Sequence, residues 1–447
     1  MKKVNILFCS FPDFSSNAKA LFEYMKKKYG NKMNLSWAVN DDFIYKKLMN
    51  DGIKVYKIGS PLYFEYVKEV DIFFTTHANI TGDKPNNAIY VELWHGVSSK
   101  HIGFLSDNIS PDDYNWYSEL KRKINYFIVP SEFWRVIFSV RFNVKYNRTL
   151  ALGYPKLDYF VHSDAKKNLE RVIGKSLGNK KIIYYMPTFK NGCNRNCDAH
   201  ANSVNVLNLK KYNEKTLIEY LQKNNYLLCV KKHPSEKNDI IDVESDFIYI
   251  IDDTELSKNN ITVNEILDAA DLLITDYSSL GLEFIFLNKP VIYLTADIDE
   301  YKLNRGITFG DFDFWACGFK VNDIDGLLKN IDACFSKNYK YIDKMKKMKK
   351  LWFGSLKDGG CKAICDYFFD GEHINKKIFE TQVFDYEEKL EKEIVSLNAQ
   401  MVKLNEIVKK QKIEISVQKE KLDSVYSSKG WKLLEKIRKI IKFVFRR

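Results

Sequence analysis

Asp271-Leu-Leu-Ile-Thr-Asp-Tyr-Ser-Ser-Leu-Gly-Leu-Glu283 is the stretch that decides the fold. A short apolar run stops at Thr275, polar residues follow at once, and Ser278 and Ser279 open a second, helix-spaced apolar pattern. A brief, near-continuous apolar run that ends in polar groups reads as a parallel strand covered on both faces. Backbone amides at the start of the following helix, with the hydroxyls of Ser278 and Ser279, would make an anion site fit for a diphosphate. The plainer reading is an N-cap box built from Ser279 with Glu283 nearby.

The same pattern recurs outward in both directions. Upstream, strands are predicted at Val4–Cys9, Leu35–Val39, Lys54–Ile58, Asp71–Thr75, Ala88–Leu93 and Asn125–Val129, with amphipathic spacers such as Asn17–Lys28. A second series comprises Lys181–Met186, Tyr226–Lys231, Asp246–Ile251, Asp271–Thr275 and Pro290–Leu294. Two successive β/α series predict an α/β protein with two Rossmann-like domains, 1–165 and 166–378, joined through the polar stretch 163–181. Ligands are then expected at the carboxyl ends of the strands, in the cleft between the domains.

Beyond about residue 380 the period changes. Leu390, Ile394, Leu397, Met401, Leu404, Val408, Gln411, Ile415, Gln418, Leu422 and Val425 alternate by four and three, without Pro or Gly, which predicts a coiled coil over 379–428. One long amphipathic helix folded back on the body is the alternative. Self-association into a homo-oligomer is the favoured consequence, and the two glutamines would set register. Residues 429–447 then carry eight Lys/Arg against one Glu. Trp431, Leu434, Ile437 and Ile441 share a face, and Lys432, Arg438, Lys439, Lys442, Arg446 and Arg447 crowd the remainder. This basic amphipathic helix suits the surface of an anionic membrane; an oligomer-core helix with a solvated basic face is the alternative.

Composition narrows the classes further. The chain has 447 residues, 45% of them hydrophobic, which excludes wholesale disorder. No run of 18 apolar residues appears, and Met1-Lys-Lys-Val-Asn-Ile-Leu-Phe-Cys9 reads as a first strand rather than a secretory signal. A cytoplasmic protein, peripheral on the inner face of the cell membrane, is expected. The net charge of +12 is concentrated in the last 19 residues, which argues against a nucleic-acid-binding face. Eight cysteines suit a reducing compartment. Cys193, Cys197 and His200 form C-x3-C-x2-H, which lacks a fourth ligand and fits no standard finger, so no metal is predicted.

Four more segments place polar chemistry at strand exits. In Glu92-Leu-Trp-His-Gly-Val-Ser-Ser-Lys100, His95 is suited to proton transfer and Gly96 permits close backbone approach, though a lone histidine is also a common structural residue. Leu152-Gly-Tyr-Pro-Lys-Leu-Asp158 is a turn closing the first domain. In Tyr184-Tyr-Met-Pro-Thr-Phe-Lys190, Pro187 ends the strand, and Thr188 and Lys190 suit phosphate. Lys231-Lys-His-Pro234 is another strand exit, with His233 held by the proline.

In this order, the five segments resemble the CDP-glycerol glycerophosphotransferase family, which contains the teichoic-acid primases and polymerases. Its W-H-G-x-x-x-K is similar to Trp94–Lys100, and its G-x-P-[RK]-x-D to Gly153–Asp158. Its Y-x-P-T-[FW]-[RK] is similar to Tyr185–Lys190, its K-x-H-P to Lys231–Pro234, and its T-D-Y-S-S to Thr275–Ser279. The likeness extends over roughly residues 1–370. Lys190-Asn191 stands where the family often has Arg-Asp, Glu283 where it often has Asp, and the stretch around 306–320 is degenerate. The resemblance implies a GT-B arrangement and transfer of a polyol phosphate, glycerol phosphate first, from a CDP-polyol to a surface-polymer or lipid-linked acceptor, with release of CMP and no further cofactor. It implies His95 and His233 as catalytic groups, His95 being the general base. Gly96, Lys100, Pro187, Thr188, Lys190, Lys231, Thr275, Asp276, Ser278, Ser279 and Glu283 are then the substrate-binding set. Glycerol versus ribitol stays open. A GT-B glycosyltransferase using a UDP- or GDP-sugar in capsule or surface-polysaccharide synthesis is the rival enzyme, and an inactive coiled-coil scaffold the rival non-enzyme.

Overall fold

The structure is a computed structural model that describes residues 3–77, 88–107, 109–188, 211–231, 245–336, 339–355, 358–375 and 385–444, with 207, 209 and 378. The chain divides into two compact units, Met1–Asn375 and Lys376–Arg447.

The first unit is built on two parallel sheets. In the first, β1 (Asn5–Cys9), β2 (Asn34–Val39), β3 (Lys54–Lys57), β4 (Ile72–Thr75), β5 (Ile89–Glu92), β6 (Tyr126–Val129) and β7 (Thr149–Ala151) lie in the order β3-β2-β1-β4-β5-β6-β7, every pair parallel. The second sheet has β8 (Lys181–Tyr185), β9 (Tyr226–Val230), β10 (Ile248–Ile250), β11 (Leu272–Thr275), β12 (Val291–Leu294) and β13 (Phe319–Val321) in the order β10-β9-β8-β11-β12-β13, again parallel throughout. This is the α/β, two-Rossmann architecture expected from the sequence.

Central strands β1, β4, β5, β6, β9, β11 and β12 are buried along their whole length. Their unbroken apolar spelling follows from cover on both faces. Phe8 illustrates the packing: its ring lies 5.7 Å from that of Trp37, 5.5 Å from Phe74 and 5.5 Å from Phe22 on the helix Ser16–Tyr29. The sequence pattern misses β7 and β13, edge strands of three residues each that lie in no longer apolar run. The polar stretch 163–181 is not bare linker. It holds the helix Ala165–Ile173, started by the Asp164 side chain accepting from the Lys167 amide and stopped by Gly174 at φ 76°.

After the second sheet the chain returns to the first. The helix Cys361–Phe368 lays Phe368 5.9 Å from Phe74 and 5.4 Å from Tyr126, and Lys28 pairs with Asp366 at 3.2 Å. Its start is held by Asp158, whose carboxylate accepts from the amides of Gly359 (3.0 Å), Gly360 (3.2 Å) and Cys361 (2.9 Å). A Cβ on Gly359 would meet the Asp158 nitrogen at 2.2 Å, so only glycine permits this approach. The second unit contains the helix Asp385–Ser427, 43 residues long, and the helix Lys429–Val444, with Tyr426 and Trp431 in edge contact at 4.8 Å. Leu397, Met401, Leu404, Ile415, Leu422 and Val425 are exposed along the longer one. Among the described residues no helix is long and apolar enough to cross a membrane.

Removing the Asp158 carboxylate leaves three amides without their charged acceptor. Asp158→Ala is expected to lower unfolding free energy by about 2–3 kcal/mol, read as a shift of the urea midpoint. An unmoved midpoint would show that the return crossing is held by its apolar contacts alone.

Candidate active site at the seam between the sheets

The carboxyl ends of β5 and β11 approach each other, and the polar residues after each strand meet there. Strand β5 ends in a tight, strained turn. Trp94 has φ 52°, a left-handed value costly for a bulky residue. Buried Glu92 holds it: one carboxylate oxygen accepts from the Trp94 amide (2.9 Å), the other from the Thr75 hydroxyl (2.6 Å). Asn17 completes the bracket, its side-chain amide donating to the carbonyls of Leu93 (3.1 Å) and Trp94 (2.8 Å) while its oxygen accepts from the Lys156 amide (3.0 Å).

This turn places His95 at the strand end. Its Nδ1 is buried and makes no hydrogen bond of ordinary geometry among the described residues. Burial holds its pKa well below the usual imidazole range; His77, Lys156 and Lys100 lower it further, and the Thr76 backbone pulls the other way. At neutral pH the ring is therefore uncharged. His77 lies against it, ring centroids 4.3 Å apart and planes within 7°.

Lys156 and Glu283 close the seam behind the turn. The Lys156 ammonium donates to the His95 carbonyl (2.7 Å) and pairs with Glu283 at 2.7 Å, both side chains being almost wholly inaccessible. Burial raises the pKa of Glu283, and the attraction of Lys156 opposes that shift. A Cβ on Gly96 would lie 2.5 Å from Glu283 Oε1, so the glycine is what lets the carboxylate reach this position. Beside this pair Lys100 donates to the Thr188 hydroxyl (2.7 Å), and the Thr188 amide donates to Asp276 (2.7 Å). Arg141, fully buried with its pKa pushed down to about 10 by burial, donates to the carbonyls of Ser98 (3.0 Å) and Lys100 (3.1 Å). The loop 98–101 is also tied to the second domain, where the Thr308 amide donates to the Ser99 carbonyl (2.7 Å).

The structure thus brings together His95, Gly96, Lys100, Thr188, Asp276 and Glu283. Ser278 and Ser279 follow Asp276, half-buried; Ser278 Oγ accepts from the Leu280 amide at 3.3 Å and caps a helix of only six residues. Half-buried Pro187 delivers Thr188. Two expected ligands are engaged internally: the Thr275 hydroxyl donates to the Met186 carbonyl (2.7 Å), and Lys231 is paired with Asp253 (2.8 Å). Lys190, His233 and the Cys193–Cys197–His200 cluster lie outside the described residues, as do Arg446 and Arg447. In the tail, Trp431, Lys432, Arg438 and Lys439 are exposed on their helix; Lys442 belongs to the same helix, its side chain outside the description.

Sequence reasoning missed His77, Glu92 and Asn17, and quoted Lys156 without giving it a role. His77 had a signal: it follows a predicted strand end as His95 does. Glu92 and Asn17 had none, because their work is to hold backbone atoms distant in sequence.

Two facing parallel-sheet domains with the polar residues gathered at their strand ends define a transferase of the GT-B type. The model of the CDP-glycerol:poly(glycerophosphate) glycerophosphotransferases matches residues 1–369, and the chain belongs to that family. It is a polyol-phosphate transferase. The teichoic acid glycerol-phosphate primase of Bacillus subtilis is 29% identical over 309 residues, 66% of this chain and 75% of that one. The teichoic acid poly(glycerol phosphate) polymerase of Bacillus spizizenii is 28% identical over 356 residues, 75% and 84% of the two chains. A teichoic acid poly(ribitol-phosphate) polymerase of the same species is 34% identical over 236 residues, 51% of this chain but 35% of that longer one. In fold, the wall teichoic acid polymerase TagF superposes with a TM-score of 0.66 over 86% of this chain and 91% of its own, at 22% identity.

Breaking the buried pair strands a charge, whereas replacing both partners does not. Lys156→Met is expected to cost about 3–5 kcal/mol of unfolding free energy, and Lys156→Met with Glu283→Leu to recover most of it. Urea unfolding of the two variants against the parent checks this; equal losses in both would mean that packing, rather than charge, holds the seam.

Proposed function

We propose that the chain transfers glycerol phosphate from CDP-glycerol to a hydroxyl of a lipid-linked surface polymer, releasing CMP. The observation that carries this reading is the neutral, half-buried imidazole of His95 at the seam, with the ammonium groups of Lys156 and Lys100 near it. The acceptor oxygen attacks the β-phosphorus, the bridging P–O bond breaks, CMP leaves with that electron pair, and the acceptor proton passes to His95 Nε2. Lys100, Thr188, Ser278 and Ser279 would hold the donor phosphates and stabilise charge as it builds on the leaving CMP. His233 and Lys190 join this set on their motifs alone. Family membership and the glycerol-phosphate relatives favour this reading over a nucleotide-sugar transferase. The ribitol-phosphate relatives make CDP-ribitol the second donor to test.

The test is nucleotide release from CDP-glycerol, CDP-ribitol, UDP-GlcNAc and GDP-mannose with membrane extract as acceptor. CMP release from CDP-glycerol, its loss in His95→Ala with donor binding retained, and an acidic limb of the kcat/KM profile below about pH 6.5 are expected. The sign follows from the lowered pKa: His95 stays unprotonated as pH falls through the ordinary imidazole value. UDP or GDP release, or turnover in His95→Ala at the parent rate, would refute the assignment.

The two C-terminal helices complete the proposal. The heptad face of Asp385–Ser427 would pair with second copies of the chain, and Lys429–Val444 would dock the enzyme on the anionic inner leaflet where a lipid-linked acceptor sits. Deleting 429–447 is expected to abolish sedimentation with anionic liposomes while leaving CMP release to a soluble acceptor; undiminished sedimentation would place the anchor elsewhere.

A further inference from the structure

A histidine acting as general base is usually aimed by a hydrogen bond that its second ring nitrogen donates, most often to a carboxylate. His95 has no carboxylate in that place among the described residues: its Nδ1 is buried and makes no hydrogen bond of ordinary geometry, the Thr76 backbone being the polar group nearest to bonding the ring, and the buried carboxylate on its own strand, Glu92, is engaged with the Trp94 amide and the Thr75 hydroxyl. What the ring does have is aromatic walls. His77 is stacked on it at 4.3 Å and 7°, and Trp94 lies 4.6 Å away, tilted by 32°. The His77 ring also faces Trp94 at 6.0 Å and takes the edge of Phe11 at 5.6 Å.

His77 is itself fixed. The Thr76 hydroxyl oxygen accepts from the Phe11 amide (3.2 Å) and lies 2.9 Å from His77 Nδ1. With its acceptor side engaged by an amide, the hydroxyl hydrogen is free to go to Nδ1.

We propose that His77 is a positioning residue for the transfer: its ring, stacked face to face on His95, takes the orienting part that a hydrogen-bonded carboxylate plays in other bases. This rests on His95 being the base. Burial and Lys156 hold the His77 pKa down to about 4, so at neutral pH two uncharged rings are in contact. The charged and titratable groups around His95 are His77 at the end of β4, Glu92 on β5, Lys100 on the following loop, Lys156 on the 153–158 turn and Glu283 from the second domain. Removing the His77 ring both frees the His95 ring to rotate and admits water to its face, and water favours the charged imidazole.

The experiment compares His77→Ala, His77→Phe and His95→Ala in the full chain, by CMP release from CDP-glycerol across pH. In His77→Ala, kcat is expected to fall about tenfold or more with the donor KM changed less than about twofold, and the acidic limb to move up toward pH 6.5. Phenylalanine restores the stack without the titratable group, so His77→Phe is expected to recover most of kcat and the parent limb. A parent-like kcat and pH profile in His77→Ala overturns the role, and so does a His77→Phe enzyme no better than His77→Ala. His95→Ala separates this from the reading beneath it. If that variant turns over normally, His95 is not the base and both fall. If it is dead while His77→Ala is unaffected, only the positioning role falls.

Discussion

The buried ion pair between Lys156 and Glu283 is the constraint on which the site depends. Each partner comes from a different domain, and neither can be solvated where it lies. Desolvating two charges is expensive, and the attraction between them offsets that cost only when the halves meet closely. The same ammonium also grips the His95 carbonyl, so the contact that joins the domains fixes the backbone of the candidate base. Gly96 belongs to this arrangement by what it lacks, since any side chain there would displace the Glu283 oxygen. Assembly of the two domains and placement of His95 are therefore one event.

The buried polar groups around this pair show why the site is rigid. Asn17, Glu92 and Arg141 spend their hydrogen bonds mainly on backbone groups of residues 93–100. A loop held this way keeps its shape without a bound substrate, which is what electrostatic preorganisation requires. The strained φ of Trp94 fits the same picture: the surrounding contacts over-determine it, and the strain aims the next residue.

Much of this was legible in the sequence because strand burial writes itself in apolar runs. Every central strand of both sheets was predicted within two residues of its observed ends, and the exits of β5, β8 and β11 marked His95, Thr188 and Asp276. Edge strands Thr149–Ala151 and Phe319–Val321 were missed, whereas the equally short edge strand Ile248–Ile250 was legible because it sits inside the longer apolar run Phe247–Ile251. The motif Gly153–Asp158 was visible as a pattern but silent as to purpose: Lys156 acts on a residue 61 positions back and another in the other domain, and Asp158 on amides some 200 positions ahead. Thr275 was misleading for a physical reason, since a hydroxyl at a strand end serves the neighbouring strand's carbonyl as readily as a ligand. Long-range polar partners leave no local trace.

The return of Cys361–Phe368 to the first sheet bears on how the chain matures as it is made. Phe74 and Tyr126 belong to an early-synthesised domain, yet the aromatic ring that covers them is Phe368. At ribosomal rates of about 5–20 residues per second, on the order of 10–50 seconds separate the emergence of Tyr126 from that of Phe368. Throughout that interval the nascent first domain carries an uncovered aromatic face and lacks the Asp158 contacts. Its surface is completed only when the second domain has been threaded out, so the early half of this enzyme waits on the late half for its last layer, and nascent-chain chaperones have an apolar face to hold in the meantime.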